Sequence, residues 1–182
     1  ASTIANLGVW QPKGADPDLF RILRDARRAA SVRRAAAVSL SQLKGGEAAN
    51  TLRSLAREGN LSERYFAVFG LIAADLDEAA EASADLLVQG LSQSDPVAIV
   101  SAFTRQSGGS NALTKALEGK KPHPQVVDQL AEYHRRTGQL PKSLEQIFHT
   151  STPKSLSALL IKESRKTLTS DVAKLGDPVR GE

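Results

Sequence analysis

The sequence predicts an all-α fold: a right-handed α-solenoid of about four helix pairs closed by a short C-terminal helical cap. Three observations lead there. Ala, Leu, Ser, Lys, Arg, Glu and Gln dominate, and aromatics make up only 4% of the 182 residues, a balance that favours helices over strands. Apolar residues recur at helical spacing along most of the chain. Helix starts also recur, since the second helix of each pair opens near residues 31, 62, 95 and 123, at spacings of 31, 33 and 28. Self-similarity near that length marks a helical solenoid, in which each unit buries its apolar face on the next. A compact helical bundle is the alternative.

Residues 1–15, "ASTIANLGVWQPKGA", read as an irregular arm, with Trp10 anchoring it on the first pair. The helical repeats span 16–137. Their first helix opens at "DPDLF", with Asp16 as N-cap and Pro17 at the first position, where a missing N–H costs nothing. It carries Leu19, Ile22, Leu23 and Ala26. The second lies in "SVRRAAAVSLSQLKGG": Ser31 caps, and Val32, Ala35, Ala36, Leu40 and Leu43 share one stripe before Gly45 and Gly46. So few residues separate the two that they should fold back as an antiparallel pair.

The second pair is predicted to start near Glu47 and Ser62, the third near Asp77 and Asp95, and the fourth near Ser110 and His123. In "YFAVFGLIAA", Tyr65, Phe66, Val68, Phe69, Leu71 and Ile72 cover far more than one stripe, so this helix must be packed on several sides. After Gly138 the pattern shortens. "LPKSLEQIFHT", "TPKSLSALLIKESRK" and "TSDVAKLG" read as capping helices over 138–175. In the final "KLGDPVRGE", Gly176 stops one helix while Asp177 and Pro178 start another, which only about one turn follows. The expectation is that 176–182 begin a following domain. Methionine is absent even at position 1, which fits a processed chain or an excised fragment.

Composition narrows the chemistry. Without cysteine there are no disulfides, thiolate metal sites or cysteine nucleophiles within these residues. No apolar run approaches the roughly 20 residues needed to span a bilayer. The net charge of +4 is unevenly spread. Residues 1–60 hold ten Lys and Arg against five Asp and Glu, residues 61–100 one against seven, and residues 101–182 thirteen against eight. A basic–acidic–basic chain suggests a dipolar surface rather than a uniformly cationic one.

The three histidines are not spaced as metal ligands. His123 precedes a proline at a helix start, His134 lies at the edge of a buried stripe, and His149 ends a short helix. The acidic string Asp75, Asp77, Glu78, Glu81 and Asp85 suits a helix N-terminus and a wet face better than paired acid–base work. Ser31, Ser62, Ser94 and Ser110 sit at predicted caps, with no strand-to-helix elbow to present a nucleophile. "GGEAAN" and "SGGSN" lack the lysine of a phosphate loop and read as turns. No catalytic, cofactor-binding or metal-ligating residue is therefore assigned.

Arginines are the exception. Arg21, Arg24, Arg27, Arg28, Arg33 and Arg34 crowd the first pair, with Arg21, Arg24 and Arg28 at i, i+3 and i+7, and all but Arg27 form a candidate interaction surface. Such a face could grip phosphates, be neutralised by Asp18 and Asp25, or meet an acidic neighbour. Few aromatics accompany it, which argues against single-strand stacking.

"SVRRAAAVSLSQL" resembles the second helix of HEAT repeats, where a Val-Arg pair opens the helix and Ala and Leu fill the seam. "AKLGDPVRGE" is similar to the junction that introduces a cytochrome c domain, matching it at Gly176, Asp177, Arg180 and Gly181. In that order the two resemble the PVC-type haem-binding CxxCH proteins, large exported bacterial proteins with a dehydrogenase-like propeller before the repeats. The resemblance implies a HEAT/ARM-like, non-catalytic scaffold, a connector in an exported redox protein. It would be periplasmic or otherwise extracytoplasmic and would contact neighbouring domains or another protein. Haem c is expected in the following domain, because no Cys-x-x-Cys-His occurs in these residues. The alternative is a HEAT-like nucleic-acid-binding or DNA-repair domain that uses the basic first pair.

Overall fold

A computed structural model describes residues 16–43, 46–91 and 95–151, with side chains as far as Phe148. The expected arm with Trp10, Ser94, the later capping helices and the junction at 176–182 lie outside the described residues. Among those described there are nine helices and no strand, so the chain is all-α here as predicted. The helices are α1 (Asp16–Arg24), α2 (Ala30–Gln42), α3 (Glu47–Glu58), α4 (Leu61–Ala74) and α5 (Leu76–Gln89). They continue with α6 (Pro96–Thr104), α7 (Gly109–Leu117), α8 (Pro124–Thr137) and α9 (Lys142–Ser151), which is the first of the expected capping helices.

Side chains cap four of the nine described helices. At α4, Asn60 accepts the Glu63 N–H at 3.0 Å while the Glu63 carboxylate accepts the Asn60 N–H at 3.1 Å, a reciprocal box that satisfies two otherwise orphaned donors. Asp75 caps α5 by accepting the Glu78 N–H. Asp95 caps α6 and His123 caps α8, each followed by a proline at the first helical position. Gly138, left-handed at φ +65°, stops α8.

The serines do not cap as expected. α2 opens one residue before Ser31, behind Ala29 and with no side-chain cap. Ser62 is already inside α4, and Ser110 follows the first residue of α7, which starts after the left-handed Gly108.

α4 is the hub of the packing. Every residue from Tyr65 to Ile72 is buried, and eight consecutive positions span more than two full turns. The helix meets α1, α2, α3, α5 and α6, which is why it is apolar all round. Gly70 makes the α2–α4 crossing close: a Cβ there would stand 2.5 Å from the Ala37 carbonyl oxygen and 2.9 Å from Leu52 Cδ1.

The larger helix–helix contacts follow chain order. α2, α4, α6 and α8 form one row of neighbours, and α5, α7 and α9 form another. Between rows, α1 packs on α2 and α4, α3 on α2 and α4, α5 on α4, α7 on α6, and α9 on α8. Only α1 and α4 lie as far as three elements apart. The predicted third and fourth pairs are looser than the first two, because α5–α6 and α7–α8 are not among these contacts. There the tight sequential neighbours are α6–α7 and α8–α9, after the longer connections that follow α5 and α7.

Candidate functional site

The five arginines singled out in the sequence do not share one face. α1 ends at Arg24, so Arg28 sits in the following loop and the i, i+3, i+7 stripe is broken. Ala26 is exposed in the same loop. Arg21 pairs with Asp18 at 2.9 Å, Arg28 with Asp25 at 3.3 Å, and Arg24 with Glu63 across to α4 at 3.0 Å. The Arg27 backbone N–H, donated to the Asp25 carboxylate at 3.0 Å, holds the Asp25 pKa below the ordinary carboxylate range, and Arg28 adds to this.

Arg33 is only 7% exposed and is part of the core. Its Nε donates to the Leu23 carbonyl at 2.6 Å, its Nη2 donates to the Ser62 hydroxyl at 3.0 Å, and its guanidinium lies 3.9 Å from the Phe66 ring centroid. It ties α1, α2 and α4 together. Burial lowers its pKa, opposed by the charges of Asp25 and Glu63. Arg34 is the member whose guanidinium is left unpaired. It lies 5.4 Å from the Phe69 ring centroid, half-buried, and no hydrogen bond or ion pair engages it among the described residues.

Arg34 stands where two adjoining hollows meet. One, of about 550 Å³, is lined by Arg28, Arg33, Tyr65 and Phe66 from the first helices. The other, of about 520 Å³, is lined by Phe69, Val97, Ala98, Ser101 and Arg105. Both include Arg34 and Asp95, so they form one groove across α2, α4 and α6. The Tyr65 hydroxyl donates to the Asp95 carbonyl at 3.1 Å and pins the start of α6 to α4. Burial pushes the Tyr65 phenol up from 10.0. Arg105, Asp95 and Tyr65 were not among the candidates read from sequence. Aligning the second helices on their starts at 31 and 62 puts Tyr65 in register with Arg34, whereas nothing local marks Arg105.

The acidic string is occupied structurally. Asp75 caps α5. Glu78 accepts from Arg53 at 2.7 Å and from Arg57 at 2.6 Å, joining α3 to α5. Lys120 donates to Asp85 at 2.9 Å and reaches Glu81 at 3.4 Å. The Asp85 hydrogen bond is the main cause that raises the Lys120 pKa. Asp75, Glu78, Glu81, Asp85 and Arg57 are in the lining of a hollow of about 680 Å³, and these four acids are met by Arg53, Arg57 and Lys120.

Among the described residues the buried polar or charged side chains besides the Tyr65 phenol are Arg33, Ser39 and Ser83, and Ser83 is satisfied by the Ala79 carbonyl at 2.7 Å. No group of three His, Asp or Glu converges there as a metal-ligand set. No described helix is long and apolar enough to cross a membrane. No family model, curated protein or solved structure matches this chain.

Proposed function

We propose that the described helices form a HEAT/ARM-like right-handed α-solenoid and that the protein acts as a non-catalytic scaffold or interaction domain. One observation carries the reading: substantial contacts run almost entirely between helices one or two apart in the chain, in two rows. That is how a quasi-one-dimensional stack satisfies itself, with each unit buried on its neighbours. Ion pairs support it, since Arg24 with Glu63 and Arg53 and Arg57 with Glu78 join one helix to another, and Lys120 with Asp85 ties the connection before α8 to α5. Stacked pairs of this kind hold attached domains at a set distance and offer a long face for docking.

The resemblance of 31–43 to a HEAT helix and of 173–182 to a cytochrome c junction supports a narrower role. In this reading the protein is a connector in an exported redox protein, with haem c carried by the next domain. The coding sequence beyond Glu182 tests it: a Cys-x-x-Cys-His motif should follow within a few dozen codons, and an immediate stop codon contradicts it.

The nucleic-acid alternative is weakened by the ion pairs at Arg21, Arg24 and Arg28, which neutralise the face meant to grip phosphates. Titration with duplex DNA at low and moderate salt is expected to show no saturable binding. Tight binding that weakens steeply with salt and is lost when these three arginines become glutamine would favour the alternative.

A further inference from the structure

We infer that the groove across α2, α4 and α6 is a docking site for an extended acidic peptide segment of a partner protein, gripped by Arg34 and Arg105. The inference rests on the scaffold reading and names what that scaffold holds. Charge is the first argument. The groove is lined by Arg28, Arg33, Arg34 and Arg105 against a single acid, Asp95. Two of these cations are already engaged: Arg28 pairs with Asp25, and Arg33 is consumed by Leu23 and Ser62. The guanidinium groups of Arg34 and Arg105 have no hydrogen-bond or ion-pair partner among the described residues, and both residues line the same hollow. An unpaired guanidinium presents donors in a fork that matches a carboxylate.

The lining selects the kind of anion. The hollow that the two arginines share is also lined by Val97, Ala98, Ser101 and Ala102, small side chains that let a backbone approach closely. Phe66 and Phe69 are buried beneath Arg33 and Arg34, so neither ring is offered to a nucleobase. The Asp95 carboxylate, held in place by the Val97 N–H at 2.8 Å, would repel a continuous run of phosphates, yet a peptide can place its acidic side chains on either side of it. Phosphate chains are thus disfavoured, and spaced carboxylates fit.

The test uses the full chain and fluorescence anisotropy of a labelled Glu-Ser repeat peptide, with a Lys-Ser repeat as control. The Glu-Ser peptide should bind saturably and the Lys-Ser peptide should not. R34Q and R105Q should each weaken binding by about tenfold, the loss expected for one charge-assisted contact. R34K should weaken it less, and R136Q, on α8 outside the groove, should leave it unchanged. Arg105 is exposed at the end of α6, so R105Q keeps the test valid even if Arg34 variants fold poorly. Absence of saturable binding, indifference to R34Q and R105Q, or displacement of the peptide by duplex DNA at lower concentration would each overturn the proposal. Helix spacings of the free protein test the scaffold separately, so failure of the groove and failure of the scaffold are distinguishable.

Discussion

Arg33 and Tyr65 are polar side chains buried where α1, α2, α4 and α6 meet, and each has one carbonyl to satisfy. Removing the first by R33A leaves the Leu23 carbonyl without its charged donor and uncovers one face of Phe66. Urea unfolding should show a loss of about 2–3 kcal/mol, within the range for charge-assisted hydrogen bonds. An unchanged midpoint would mean that the cation is dispensable. Tyr65 makes a pH prediction. Its folded pKa is raised by burial, so its contribution is complete below about 10 and is lost as pH climbs through the folded value. Lys120, raised from 10.5 chiefly by its hydrogen bond to Asp85, has the same sign. Stability should therefore fall from about pH 10 upward. In Y65F that slope should flatten, at the expense of about 1 kcal/mol at neutral pH for the lost hydrogen bond. Urea midpoints measured across the alkaline range check both statements.

At the scale of the elements, the α2–α4 crossing and the α4 cap are the sensitive joints. G70A places a Cβ against the Ala37 carbonyl, a backbone atom that cannot swing aside, and should cost about 1–3 kcal/mol as overpacking. N60A opens the reciprocal box at α4 and should cost about 1 kcal/mol. Thermal or urea melts measure both, and an undisturbed G70A would mean that the two helices lie further apart. The burial of α4 was legible in the sequence, because residues apolar around a whole circumference have no other use in water. Most helix starts were legible to within two residues. Serines misled at Ser31 and Ser62, since a cap is set by where the chain turns, and Asn60 with Glu63 offered the better box. Arg33 and Arg34 look alike in sequence, yet one is core and the other lies on the groove. The 100° between successive helical positions separates them, and only the placement of α1 and α4 around α2 decides which is buried.

At the scale of the whole molecule, the helices of the proposed solenoid satisfy themselves in a row. Groups at one end should then be insulated from the other. Charge pairs such as Glu78 with Arg53 and Arg57 or Lys120 with Asp85 tie neighbours and tune nothing at a distance. The rows could not be read from the sequence in full, because its repeat predicted about four helix pairs while α5–α6 and α7–α8 pack more loosely than the first two. Spin-label distance measurements test the claim most directly, and the absence of native cysteine makes labelling clean. Labels at Arg21 on α1 and, in turn, at Asp77 on α5, Asn111 on α7 and Lys142 on α9 report the rise along the stack. Packed helices lie about 8–10 Å apart, so each further pair should lengthen the distance by roughly that amount. An Arg21–Lys142 distance no longer than Arg21–Asp77 would mean that the ends close on each other, and would contradict the account.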